Sequence, residues 1–306
     1  MHQPTRIDVH AHIVPDFYRE WCLNKDLDTE NLKMPSWSKD KALGFMDQAG
    51  IKTSILSVSA PGVDIVDGIE ATEMARRLNE NSARVVTETP DRFGYFAILP
   101  QKDVDRALAE IAFAFDHLNA AGVVLRPHVE GIYIGEDSFA PVLAELNRRR
   151  AVVLLHPSEL PNGAAPGIPA FMADFLLDTV RGAISLMRSG AMDRFPDLRV
   201  ILSHAGGFLP FIASRIAGRV SPLEDEEDGY RLMRRFYLDT SLASSPTSLP
   251  SITAFADPDK LMVGTDFPFA PERRCNAFLN ALAAFDGIDH EAVYHGNAEL
   301  LFSGRS

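Results

Sequence analysis

Two histidines, His10 and His12, stand one residue apart in the apolar stretch "IDVHAHIVPDF" (Ile7–Phe17). On a β-strand, residues i and i+2 project from the same face, so both imidazoles would face whatever that strand buries. Three further apolar runs end in the same kind of side chain: "VVLLHP" in His156, "VILSH" in His204 and "LMVGTD" in Asp266. Singly, each has an ordinary explanation. A histidine after a strand is often a hydrogen-bonded rim residue, and an aspartate before Phe-Pro often caps a turn. Together they make a donor set of imidazoles and one carboxylate, without thiolate. Such a set suits a borderline divalent cation, Zn²⁺ first, with Mn²⁺, Fe²⁺ or Co²⁺ as alternatives. Three or four protein ligands would leave a position for water or substrate, which catalysis requires.

The elements that must gather these side chains are short β-branched runs alternating with helical patterns. Counting Ile7–His12 first, the strands continue with "KTSILSVSA", "FGYFAILP", "VVLRPH", "AVVLLHP", "LRVILSHAG", "FYLDTSL" and "KLMVGTDFPFA". Eight strands, most with a helix behind them, predict an α/β fold of the (β/α)₈ TIM-barrel class, as one domain over residues 1–306. A doubly wound open sheet is the competitor, but no Gly-rich turn follows its would-be first strand. In a barrel, functional side chains come from the C-terminal ends of strands, so all five candidates would converge. Gly122 is expected to cap the helix "VDRALAEIAFAFDHLNAAG". Pro15 to about Asp40 lacks a clean period. That segment is expected to be an insertion after strand one that covers the barrel mouth, with Trp21 and Trp37 available to a flat substrate. The acidic "LEDEEDGY" (Leu223–Tyr230) is expected to be a solvated loop.

Bulk properties narrow the class further. The 306 residues are 46% hydrophobic and 24% charged, an ordinary globular balance. A net charge of −12 argues against a nucleic-acid partner. No apolar run is long enough to span a bilayer, and the basic-then-apolar pattern of a secretory signal is missing. Cys22 and Cys275 are too few for a disulfide framework or a thiolate zinc site. A cytoplasmic location is expected.

The stretches "DVHAHIVP", "LLHP", "SHAGGFLPF", "GTDFPF" and "HGNAELLF" together resemble the amidohydrolase superfamily. They are most similar to its branch of metal-dependent, non-oxidative decarboxylases related to aminocarboxymuconate semialdehyde decarboxylase. Within that branch, "HIVPDFY", "FMDQAGIKTSILSVSAPGV", "RFGYFAILP" and "FYLDTSLASSP" resemble the 6-methylsalicylate decarboxylase-like proteins. The resemblance implies that His10, His12, His156 and Asp266 bind the metal, with His204 beside the reacting groups as a hydrogen-bonding or acid/base residue. Many binuclear relatives carry a carbamylated lysine at the end of strand four. Here "GVVLRPHVEG" offers none, which implies a single ion. His128 falls where decarboxylase relatives have a Thr-His-Val-type turn, and is either a substrate contact or structural. Arg126 is a candidate for a substrate carboxylate or a rim ion pair. In relatives, an arginine at the place of Arg215 reaches a neighbouring subunit's site and grips a carboxylate, which implies a homodimer.

Two reactions fit these ligands. In the first, a salicylate-like aromatic acid is protonated at the ring carbon bearing its carboxylate and then loses CO₂, with Asp266 as acid and His204 assisting. In the second, metal-bound hydroxide attacks a lactone, amide or ester, with Asp266 taking the proton and His204 stabilising the oxyanion. The local resemblance and an aromatic surround favour the first. Phe267 and Phe269 follow the last ligand, and Phe269 is the candidate ring contact. A barrel that uses the cluster only structurally is the third possibility.

Overall fold

The computed structural model describes residues 5–25 and 34–303. Eight strands follow one another round a single parallel sheet in chain order. They are β1 (Arg6–His12), β2 (Ile51–Ser57), β3 (Phe93–Ile98), β4 (Gly122–Leu125), β5 (Val152–Leu155), β6 (Arg199–Leu202), β7 (Tyr237–Asp239) and β8 (Leu261–Met262). The sheet curls back on itself. Val9 N donates to Val263 O (2.9 Å) and His12 N to Phe267 O (2.7 Å), which seats the exit of β8 against β1. The expected TIM barrel is what the chain builds. Strands such as β5 are buried along their whole length, because helices cover the outside and packed side chains fill the inside.

Local sequence explains the element boundaries. The helix Lys39–Ala49 starts where Ser38 Oγ accepts from Lys41 N (3.2 Å), and it ends at Gly50 in a left-handed conformation. Gly122 departs from expectation. The helix before it stops at Asp116, and Gly122 instead opens β4. A Cβ there would lie 2.2 Å from Val152 O, so close strand approach, not helix capping, demands glycine.

The acidic segment also differs from expectation. Residues Glu226–Met233 form a helix, capped by Asp225, whose carboxylate accepts from Asp228 N (2.7 Å). Acidic residues in a first turn meet the positive end of the helix dipole, which favours order over a solvated loop. In the insertion after β1, Asp16–Leu23 forms a helix. Its Tyr18 hydroxyl donates to Gly62 O (2.9 Å), seating it on the loop that follows β2. Residues 26–33 of the insertion lie outside the described residues. No helix among the described residues is long and apolar enough to cross a membrane.

Candidate metal centre

The two-residue period of β1 puts Asp8, His10 and His12 on one face, and all three side chains are buried. His156 follows β5 and His204 follows β6, while Asp266 follows β8. The barrel brings these five strand-end side chains to one place. His12 Nε2 lies 2.9 Å from Asp266 Oδ1 and 3.2 Å from His10 Nε2. His10 Nε2 lies 3.6 Å from Asp266 Oδ1, and His204 Nε2 lies 3.7 Å from Asp266 Oδ2. The His156 ring centre is 5.0 Å from that of His10 and 4.9 Å from that of His12. One donor atom from each of His10, His156, His204 and Asp266 falls within 4.8 Å of the others.

The hydrogen bonds behind the rings fix which nitrogen faces inward. His10 Nδ1 meets the Asp239 carboxylate at 2.8 Å, and a carboxylate only accepts, so the hydrogen sits on Nδ1. His156 Nδ1 likewise donates to Pro157 O (3.1 Å). Ser57 Oγ donates to Ala11 O, so it accepts from His12 Nδ1 at 2.9 Å. Nε2 is therefore the inward-facing nitrogen of all three rings. Those of His10 and His12 face each other, and buried His156 Nε2 has no hydrogen-bond partner among the described residues. Two such nitrogens, 3.2 Å apart beside a carboxylate, need a proton or a metal ion between them. The donor set fits a divalent cation.

The titration behaviour agrees. Burial acts first on each imidazole and disfavours its charge, which lowers His12 and takes His156 far below the usual histidine range. Burial also opposes charge on His10, yet Asp239 and then Asp266 outweigh it and lift that ring to about 9. For Asp266, burial pushes upward, but hydrogen bonds from His12 and His204 hold the carboxyl well below its ordinary range. Burial thus disfavours charge on two of the imidazoles, whereas His10 and the Asp266 carboxylate favour opposite charges side by side.

The backbone supports the placement. His204, Ala205 and Asp266 have φ of 54°, 55° and 64°, in the left-handed region that non-glycine residues avoid. Thr265 N and Asp266 N both donate to His10 O (3.2 and 2.8 Å), so the turn carrying Asp266 is tied to the ligand strand. Asp8 reinforces the tie by accepting from Thr265 Oγ1 (2.6 Å) and His10 N (3.0 Å).

The remaining candidates are spread around this centre. Phe269 sets its ring edge-on to His12 at 5.3 Å, whereas Phe267 stacks on Phe45 at 4.4 Å within the core. Both His128 ring nitrogens are engaged by backbone: Nε2 donates to Glu159 O (2.9 Å) and Nδ1 accepts from Gly131 N (3.2 Å). Arg126 is ion-paired to buried Asp64. Arg215 is exposed on the helix Leu209–Val220, and no ion pair engages it among the described residues. Trp21 Nε1 donates to Glu70 (2.8 Å), and Trp37 packs on the core. Asp239, Ser57 and Asp64 were not anticipated from sequence. Asp239 ends β7 as the ligands end their strands, and that position is the signal that could have found it.

Known proteins share this architecture. A decarboxylase of Penicillium terrestre, macB, is 34% identical, covering 97% of this chain and 95% of its own. The 6-methylsalicylic acid decarboxylase of Penicillium expansum is 34% identical, covering 92% and 90%. Among solved structures, a dihydroxybenzoic acid decarboxylase from Polaromonas sp. JS666, with bound manganese and the inhibitor 2-nitroresorcinol, superposes with a TM-score of 0.81. It is 25% identical, and the match covers 100% of this chain and 98% of that one. The amidohydrolase family profile matches residues 7–303. With that match over almost its whole length, the chain belongs to the amidohydrolase family.

Proposed function

We propose that this barrel is a metal-dependent, non-oxidative decarboxylase of a small, salicylate-like aromatic carboxylic acid. One observation carries the reading: three buried imidazoles and the Asp266 carboxylate converge in a chain that aligns over nine-tenths of its length with an aromatic-acid decarboxylase. One divalent ion is inferred, held by His10, His12, His156 and Asp266. Imidazole-rich donors support Zn²⁺, and the manganese in the Polaromonas relative supports Mn²⁺ as the alternative. Bound there, the ion would supply Lewis-acid charge beside the acid's carboxylate and ortho oxygen.

The chain's own groups handle the proton. Asp266, held as a carboxylate, accepts the proton of the ortho hydroxyl. It then delivers that proton to the ring carbon bearing the carboxylate. The ring-to-carboxylate bond breaks, its electron pair returns to the ring, and CO₂ departs. The phenolate product takes a proton from solvent on release. Protonation ahead of cleavage avoids an aryl carbanion. His204, 3.7 Å from Asp266 Oδ2, keeps the carboxylate oriented and hydrogen-bonds the oxygen that carries the developing charge. Phe269 lies against His12 and offers its ring to the substrate's.

A homodimer completes the reading. Phe211 is 81% exposed and lies one turn before Arg215 on the same helix face, so an apolar anchor and a free cation sit together. That pairing suits a second copy whose site Arg215 enters. Two free, buried cysteines support a reducing, cytoplasmic setting. The test is direct: metal-loaded protein is incubated with salicylate-type acids and, separately, with lactones. CO₂ release is expected from the acids. Ring opening of lactones without CO₂ release would replace this function with hydrolysis.

A further inference from the structure

The loops after β2, β3 and β4 enclose a recess that His156 also lines, so it opens beside the ligand cluster. Its walls are largely aliphatic, with Val58, Val63, Ile98 and Val124 among them. Set into this apolar wall is one ion pair. Arg126 donates through Nη2 to Asp64, whose side chain is 2% exposed against 18% for the arginine. Asp64 is itself anchored, because its other oxygen accepts from Lys102 N (3.0 Å). Gln101 clamps the arginine's backbone: Arg126 N donates to Gln101 Oε1 (2.8 Å), and Gln101 Nε2 donates to Arg126 O (3.3 Å).

A guanidinium has five N–H donors, and Asp64 engages only Nη2. Nε and Nη1 meet no protein acceptor among the described residues. The side chain is 18% exposed, so these donors are open to water, and a ligand oxygen placed there would replace that water with a fixed acceptor. Charge decides which oxygen. The Arg126–Asp64 pair is neutral overall, so it offers a dipole and little net attraction for a second carboxylate. A ring hydroxyl matches both partners, accepting from Arg126 and donating to Asp64. A methyl group matches neither.

We infer that Arg126, held in place by Asp64, selects aromatic acids that carry a second ring hydroxyl on the side facing this recess. This rests on the decarboxylase reading of the same site. The test uses two acids that differ only in that group, 2,6-dihydroxybenzoate and 2-hydroxy-6-methylbenzoate. Calorimetric titration into metal-loaded protein is expected to show the dihydroxy acid binding at least about tenfold more tightly, because a site that hydrogen-bonds a ring hydroxyl rejects an analogue lacking it. Arg126→Met, Arg126→Lys and Asp64→Asn should each shrink that ratio. Equal or tighter binding of the methyl acid by the unmodified protein, no binding of the dihydroxy acid, or an unchanged ratio in a folded variant would overturn the inference. CO₂ release, followed in the same samples, separates the two claims. Discrimination without CO₂ from either acid sinks the decarboxylase reading alone, and CO₂ from both without discrimination sinks the selectivity alone.

Discussion

His10 Nδ1 donates to Asp239 Oδ2 across 2.8 Å, although 229 residues separate the two. Both ends of the bond are fully buried. The other Asp239 oxygen accepts from His204 N (3.1 Å) and Ser241 N (2.8 Å). One carboxylate thus orients a proposed ligand ring and pins the turn that carries His204. Partners of this kind set the tautomer and the basicity of a metal-bound imidazole. Asp239→Asn keeps the shape and removes the charge. Its expected effect is a roughly 10–100-fold loss of metal affinity, read from metal content after dialysis against graded free ion. Wild-type affinity would show that the bond serves folding only.

His156 offers a cleaner separation of fold from metal. Its Nε2 makes no hydrogen bond to any described residue, so the ring gives the metal-free fold only its packing and one bond to Pro157 O. His156→Leu restores the packing volume. The variant should melt cooperatively without metal but lose the rise in Tm that added Zn²⁺ or Mn²⁺ gives the parent, since a ligand stabilises only the state that binds it. An undiminished rise would remove His156 from the site. Chelation of the parent should abolish CO₂ release, and adding back either ion should show which one restores it.

Much of this was legible in the residues themselves. Parallel strands covered on both faces read as unbroken apolar runs; His156 and Asp266 are the first titratable residues after such runs, and His10 and His12 close β1. Asp239 obeys the same rule in "FYLDTSL", yet its role depends on a distance to His10 across the barrel, which no single strand encodes. Asp64 sits in the aperiodic loop "APGVDIVDG", where nothing local announces a partner on β4's exit. Gly122 and the Glu226–Met233 helix misled for a related reason. A glycine after a helical run and a block of like charges each have a common local meaning that tertiary contacts overrode.

Asp178 gives the fold a pH dependence separate from the ligands. It is buried on the helix Asp174–Arg188, where its carboxylate accepts from Ser158 N (2.9 Å) and holds the segment after His156. His128 Nε2 lies 3.6 Å away, and Tyr133 and Arg126 also act on it. Burial dominates and lifts its pKa to about 7. The folded value lies above the unfolded one, so the native state binds more protons between about pH 4 and about pH 7. The stability this group contributes is complete below that window and is lost as pH rises through about 7. Burial acts first on His128 and disfavours its charge. Asp178→Asn removes the titration. Its Tm relative to the parent should therefore climb from about pH 5.5 to about pH 8, whereas a constant offset would show that Asp178 does not titrate there.

Arg215 tests the assembly. A two-fold dimer uses the same patch on both copies, so if one subunit's Arg215 enters the other's site, each site draws on two chains. Arg215→Met and Asp266→Asn should then each inactivate the homodimer for different reasons. The first lacks the entering guanidinium, and the second lacks the carboxylate that meets His12 at 2.9 Å. Mixed by co-expression, the two variants form hybrid dimers in which one site has an intact Asp266 from its own chain and an intact Arg215 from the other. CO₂ release should reappear in the hybrid and be absent from either variant alone. A bidentate guanidinium cannot be replaced by a point charge of different shape, so the Arg215→Lys homodimer should be as inactive as the Arg215→Met one. If the hybrid stays inactive while each variant folds and dimerises, Arg215 acts within its own chain or at the surface, and the shared site is wrong.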